Sequence, residues 1–342
     1  MSKERSRLGI LLTGRTGQVG RELAPLLDQM GELTALDRRH LDLGNPGEIQ
    51  RVLRDLRPEL IVNAGAYTAV DRAESEEAAA RAINAIAPGV MAEEAKRLGA
   101  LLVHYSTDYI FDGTKRTPYE EDDPPNPLSV YGTTKLQGER AIQQIGPAYL
   151  ILRTAWVYAP EGRNFLLTIL RLATEKEELR VVQDQIGAPT SSREIAAATV
   201  KVLSQICASS KGMSSWSGTR SIYHMTAGGE TNWHSFAKLI LELASSQARM
   251  ADWFAAATNN RPLIARRILP ITTAEFPTAA RRPAYSVLAN RKLNDAFGVT
   301  LPHWEKQLRA VFSERACESH TPGRNEQESK KIDQGGKSTR EA

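Results

Sequence analysis

At 342 residues, with 41% hydrophobic and 25% charged side chains, the chain is long enough to bury a large core as one α/β unit or as two lobes. Its formal charge of +4 is modest and spread over pairs such as Arg38-Arg39, Arg266-Arg267 and Lys330-Lys331, which speaks against a nucleic-acid partner. Two cysteines, Cys207 and Cys317, form neither a disulfide framework nor a metal-like cluster, and the apolar run behind the basic start is too short for a signal peptide or a membrane span; a cytoplasmic location is expected.

In chain order, short apolar runs alternate with amphipathic stretches. Strands are expected near 8–13, 32–36, 59–64, 100–106 and 148–153, and helices near 19–30, 46–56, 73–98 and 131–145. Such alternation implies a doubly wound parallel sheet with helices on both faces, whose ligands bind beyond the carboxyl ends of the strands. Past residue 156 the pattern loosens. Helices are expected at 164–173, 193–205 and 233–245, a short strand at 179–182, and an exposed loop over the Ser- and Gly-rich 208–219. The expected organisation is a Rossmann-type dinucleotide domain over 1–155, a smaller α/β substrate lobe over 156–312 with segments returning to the first sheet, and a disordered tail over 313–342, which holds almost no large apolar residue.

The first strand runs into Gly14-Arg-Thr16-Gly17-Gln18-Val19-Gly20 and then a helix. Gly14 permits the tight turn, Gly17 lets the backbone approach a pyrophosphate, Gly20 lets helix and strand pack closely, and the helix N-terminus offers free N–H groups to an anion. The second strand ends at Asp37-Arg38-Arg39. An acidic residue there suits ribose hydroxyls and an arginine suits a 2′-phosphate, so NADH and NADPH both stay open. Asp42 and Leu43 are placed to flank an adenine, and Ala64-Gly65-Ala66 supply small residues where a cofactor would cross the third strand.

Tyr131 and Lys135 lie one helical turn apart, downstream of Ser106-Thr107-Asp108 at the end of the fourth strand. On one helix face, the ammonium is placed to lower the phenol from its intrinsic value of about 10. A tuned phenol can exchange the proton that accompanies hydride transfer at a carbonyl, with Thr107 holding the carbonyl oxygen. The candidate catalytic set is Tyr131, Lys135 and Thr107.

Further strings follow in order: Asn63-Ala-Gly-Ala-Tyr-Thr-Ala-Val-Asp-Arg-Ala-Glu74, His104-Tyr-Ser-Thr-Asp-Tyr-Ile-Phe111, Pro127 to Lys135, Arg153-Thr-Ala-Trp-Val-Tyr158, Asp184-Gln-Ile-Gly-Ala-Pro-Thr190 and Ala280-Arg-Arg-Pro283. On these motifs the chain from about Leu8 to Phe312 resembles the dTDP-4-dehydrorhamnose reductases, a branch of the extended short-chain dehydrogenase/reductases. The resemblance implies reduction of the C4 ketone of dTDP-4-dehydro-L-rhamnose to dTDP-L-rhamnose by NADPH or NADH. Tyr131 would be the proton donor, Lys135 its tuner and a contact to the nicotinamide ribose, Thr107 and Asp108 groups beside the sugar, and Trp156 its wall. Asn164, Gln185 and Arg282 would contact the nucleotide diphosphate. Some relatives hold magnesium through glutamates at a dimer interface. Glu22 matches one of them, but Arg193 stands where another would be, with Glu194 following, so no metal site is read and a homodimer stays open. Two alternatives remain: a reductase or epimerase of another nucleotide sugar, and a non-catalytic NADP-binding regulatory subunit, against which the intact Thr107, Tyr131 and Lys135 argue.

Overall fold

The computed structural model describes residues 7–209, 216, 218–246 and 252–313. Apolar runs with buried side chains on both faces form β1 (Leu8–Thr13), β3 (Leu60–Asn63), β4 (Leu101–Thr107) and β5 (Ala148–Thr154), while β2 (Gly31–Leu36), at the sheet edge, keeps its side chains half-buried or exposed. Between them run α1 (Gln18–Asp28), α2 (Pro46–Leu56), the short α3 (Val70–Ala73) and α4 (Glu77–Arg81), α5 (Ala87–Leu98) and α6 (Val130–Ile145). The helix ends are written in the sequence: Asn45 caps α2 ahead of Pro46, Ser129 caps α6 through the Gly132 N–H, and Gly99 and Gly146 end α5 and α6 in the left-handed region. The stretch expected as one helix over 73–98 is broken instead into α3, α4, a π-helical turn at Ala82–Ile86, and α5. Pro88-Gly89 at the start of α5 and the insertion of Asn84 toward α6 explain that break.

The second half holds β6 (Val157–Tyr158), α7 (Phe165–Ala173), β7 (Glu178–Val182), β8 (Ile186–Gly187), β9 (Thr190–Ser191), α8 (Ser192–Ser209), β10 (Arg220–His224), β11 (Thr231–Asn232), α9 (Trp233–Ser246), α10 (Asp252–Thr258), β12 (Arg267–Ile271), α11 (Arg291–Phe297) and α12 (Trp304–Ser313). The main sheet is parallel throughout, in the order β10-β5-β4-β3-β1-β2. Its sixth strand, β10, carries no apolar run and was not foreseen. It is held by backbone pairing along β5, from Arg220 opposite Tyr149 to His224 opposite Arg153. A parallel pair, β7 with β12, serves a second core around Leu170, Phe236 and Leu308.

One core cluster lies on each face of the main sheet, with Leu12, Leu23 and Val103 on one and Leu11, Ile49 and Met91 on the other. Residues such as Leu23 and Leu53 are completely buried, and truncating one to Ala would cost roughly 2–5 kcal/mol. Trp216 lies in the stretch expected as an exposed loop, yet it is buried in the first of these clusters. Most of the rest of that loop, and residues 314–342 of the expected tail, lie outside the described residues.

Candidate active site

The crossover order β4-β3-β1-β2 puts the carboxyl ends of all four strands on one edge, and the chain there turns through glycine. Gly14 has φ +71°, and a Cβ on it would stand 2.6 Å from the Gly65 nitrogen. A Cβ on Gly20 would stand 2.1 Å from the Gly14 oxygen. The loop can therefore come this close to strand and helix only as glycine. Gly17 caps α1 without a side-chain hydrogen bond, which leaves first-turn N–H groups for an anion, with Thr16, Gln18 and Val19 around it. Across the cradle, Leu43 packs on Gly65 so closely that a Cβ there would meet it at 2.5 Å, while Asp42 takes the Gly44 N–H. Ala64 and Ala66 flank the same approach. Asp37, just past β2, accepts from the Arg39 N–H at 2.9 Å and pairs with His40 at 2.7 Å; the His40 hydrogen bond holds its carboxyl below the usual range. Arg38 beside it is exposed. A bare helix N-terminus, glycines with no room for Cβ and an acid at the end of β2 fit a dinucleotide.

Tyr131 and Lys135 sit on the first turns of α6, against the end of β4. Burial pushes the Tyr131 phenol up to about 12, with the Thr107 hydroxyl pulling the other way and Asp108 adding to the rise. The expected lowering by Lys135 is therefore not what this arrangement produces. Burial outweighs any ammonium, and the Lys135 Nζ is turned toward Tyr105 O at 2.6 Å and His104 Nε2 at 3.2 Å. Burial also brings Lys135 down to about 8, with Glu139 raising it. Thr107 donates to Asp108 Oδ1 at 3.1 Å and accepts from the Tyr109 N–H. Asp108 is buried, which moves its carboxyl up to about 6 against the pull of Ser286 and Thr107, and its Oδ2 has no hydrogen-bond partner among the described residues. An acid with a free oxygen, a hydroxyl and a protonated phenol converge here.

Trp156 follows β5 with φ +46°, stacked on Trp233 at 3.4 Å between ring centroids, its ring against Gly187. Gln185, expected to touch a diphosphate, uses both ends of its amide inside the protein: Oε1 accepts from Trp233 Nε1 and Nε2 donates to Thr273. Asn164 caps α7 through the Leu167 N–H and donates to Gln18 at 2.8 Å, latching the 159–164 loop to the glycine loop beside a cavity of about 240 Å³. Arg282 grips Asp71 with two guanidinium nitrogens, at 2.7 and 3.2 Å. Glu22 is half-buried on α1; burial raises its carboxyl and Arg193 lowers it. No group of three or more His, Cys, Asp or Glu among the described residues could hold a metal ion.

His104, Trp233 and Asp71 were given no role from sequence. His104 did leave a signal, as a lone imidazole inside the buried run Leu-Leu-Val-His-Tyr; the other two are brought in only by tertiary packing.

Fold and site together define an extended short-chain dehydrogenase/reductase. The model of the RmlD substrate binding domain matches residues 8–317, and the chain belongs to that family. It is 48% identical over 295 residues to the dTDP-4-dehydrorhamnose reductase of Burkholderia thailandensis, covering 86% of this chain and 95% of the relative. It is 40% identical to that of Escherichia coli K12, covering 90% and 98%. Among solved structures, the dTDP-4-dehydrorhamnose reductase of Bacillus anthracis in complex with NADP superposes with a TM-score of 0.77 at 32% identity, over 90% of this chain and 99% of that one.

Proposed function

We infer that this chain reduces the C4 ketone of dTDP-4-dehydro-L-rhamnose to dTDP-L-rhamnose with NADPH or NADH. The observation that carries the reading is Tyr131, still protonated, beside Thr107 at the strand edge that also holds the glycine cradle. When bound, the reduced nicotinamide supplies the hydride. The carbonyl carbon gains that hydride, the carbonyl oxygen gains the Tyr131 proton, and the tyrosinate left behind is reprotonated from solvent before the next turnover. Thr107 donates a hydrogen bond to the oxygen as its charge grows, exchanging Asp108 for the substrate. Asp108 Oδ2 awaits a sugar hydroxyl, and Trp156, braced by Trp233, forms the wall.

In this reading the α1 N-terminus holds the pyrophosphate, Asp37 or Arg38 the adenosine ribose, and Asp42 and Leu43 the adenine. Gln185 and Asn164 act as struts for Trp233 and the glycine loop, because their amides already have protein partners. Arg282 reaches a diphosphate only by sharing its guanidinium with Asp71. A homodimer is part of the same reading, to be read from sedimentation. Loss of NADPH absorbance in the presence of the dTDP-4-keto sugar, with dTDP-L-rhamnose as product, is the expected result; cofactor binding without turnover would refute it.

A further inference from the structure

The turn between β2 and α2 carries an imidazole that no step above uses. His40 lies three residues past Asp37, among the residues Arg38, Asp42 and Leu43 that surround the adenosine in the cofactor placement above. Its backbone N–H and that of Leu41 donate to the Asp37 carbonyl, which folds the turn back on the carboxylate. A carboxylate only accepts, so His40 Nδ1 bears a proton and donates it to Asp37 Oδ1 at 2.7 Å. The Arg39 N–H donates to that same oxygen at 2.9 Å. Among the described residues Oδ2 has no hydrogen-bond partner, and it is left for a ribose hydroxyl. The His40 side chain is 68% exposed and that of Asp37 only 22%. A second proton therefore reaches the His40 ring from solvent, while the carboxylate that it would answer is held in place.

We propose that His40 is a specificity-determining residue for the cofactor: as an imidazolium it cancels the Asp37 charge and admits the 2′-phosphate of NADPH, and as a neutral ring it leaves that charge to favour NADH. The proposal rests on the reading that sets the adenosine ribose at Asp37 and Arg38. What changes is the sum of charges at the end of β2. Arg38 and Arg39 stand exposed on the same turn, and Asp42 follows with its carboxylate on the Gly44 N–H. From the glycine loop comes Arg15, exposed, whose N–H meets the Leu36 carbonyl at 3.1 Å, and α2 brings Glu48 in its first turn. Arginines and exposed carboxylates keep their charges between about pH 6 and 8, whereas histidine gains one as pH falls through that window. The Asp37 carboxylate stays negative throughout, because the His40 hydrogen bond holds it below the usual range. Acid therefore strengthens NADPH relative to NADH, and base does the reverse. One unit charge at contact distance in a wet site changes the relative affinity by about five-fold.

Calorimetric titration of the chain with NADP+ and with NAD+, in the absence of sugar, tests this. The ratio of the two dissociation constants should shift toward NADP+ by about five-fold from roughly pH 8 to 6. The 2′-phosphate titrates over part of the same range, so variants separate the protein from its ligand. His40→Asn keeps a neutral donor and His40→Lys supplies a permanent charge. The first should hold the low preference for NADP+ and the second the high one, each with the ligand's own pH dependence alone. NADP+ binding near neutral pH should also take up a proton, read from enthalpies in buffers of different ionisation heat, that neither variant takes up. Variants that follow the wild-type curve, in preference and in proton uptake, would overturn the proposal and leave the reductase reading standing. A chain that shows the shift and loses it in both variants, yet never reduces the keto sugar, refutes the reaction and leaves the role of His40 intact. Binding of neither nucleotide would overturn both.

Discussion

Tyr131 has the clearest single-residue consequence. Removing its hydroxyl in Tyr131→Phe should leave NADPH affinity nearly unchanged and lower turnover by about 10²-fold or more, the range expected for a general acid; near-normal turnover would take Tyr131 out of the mechanism. Asp37 offers a second test. Its carboxylate is held low, so it stays negative and opposes a 2′-phosphate while exposed Arg38 attracts one. The chain should use both cofactors with a preference under about 100-fold, roughly 2.7 kcal/mol. Asp37→Ala should move the ratio toward NADPH in side-by-side kcat/KM measurements, and an unmoved ratio would place the ribose elsewhere.

The glycine loop and α1 act as one element, because Gly14 and Gly20 bring the turn, the strand and the helix into contact distances that a methyl group blocks. Gly20→Ala should therefore do more than add bulk. The loop must back away from α1, at about 1–3 kcal/mol of stability and at least about ten-fold in NADPH affinity. Calorimetry with a cofactor titration separates these, and an alanine variant that binds NADPH as well as the native protein would show that the close approach has no part in binding. The Glu139–Arg153 pair couples α6 to β5 in the same way. Both side chains are buried, with Arg153 donating to Glu139 at 2.8 Å and to the Glu121 carbonyl at 3.1 Å. Arg153→Met leaves a buried carboxylate unpaired and should destabilise the fold by about 3–5 kcal/mol in denaturant melts.

For the whole molecule, buried histidines set part of the acid response. Burial, and then Arg153, lower His224 to about 3, and His104 is also pushed well below 6.5. Their folded pKa values lie below the unfolded value, so the unfolded chain binds more protons as pH falls from 6.5 toward 3, and stability drops across that window. Each contributes a slope of up to about 1.4 kcal/mol per pH unit. Asp108 works in the opposite sense, since its carboxyl is raised to about 6 and takes up a proton in the folded state between 6 and the ordinary 3.8. His224→Asn should lower the melting temperature at neutral pH yet flatten its fall between about pH 6 and 4; an unchanged slope would mean that His224 protonates freely in the fold.

Local pattern by itself showed the five leading strands, the glycine cradle and the one-turn spacing of Tyr131 and Lys135. Each of these depends on neighbours close in the chain: alternation and apolar runs for strands, φ freedom at Gly14 and helical periodicity for the pair on α6. Where a long-range partner decides, sequence was silent or mistaken. The strand β10 exists because β5 offers it a free edge, Gln185 is a strut because Trp233 and Thr273 lie on either side of it, and Trp216 is buried because a core cluster has room for it. The phenol shows the same division. Helical spacing does put Tyr131 and Lys135 on one face, but packing around α6 buries Lys135 and half-buries Tyr131, and desolvation raises the phenol rather than lowering it as spacing alone would suggest. Sequence spacing set which groups share a face; only the tertiary structure set the dielectric around them and the partners, His104 and Tyr105, toward which the amine turned.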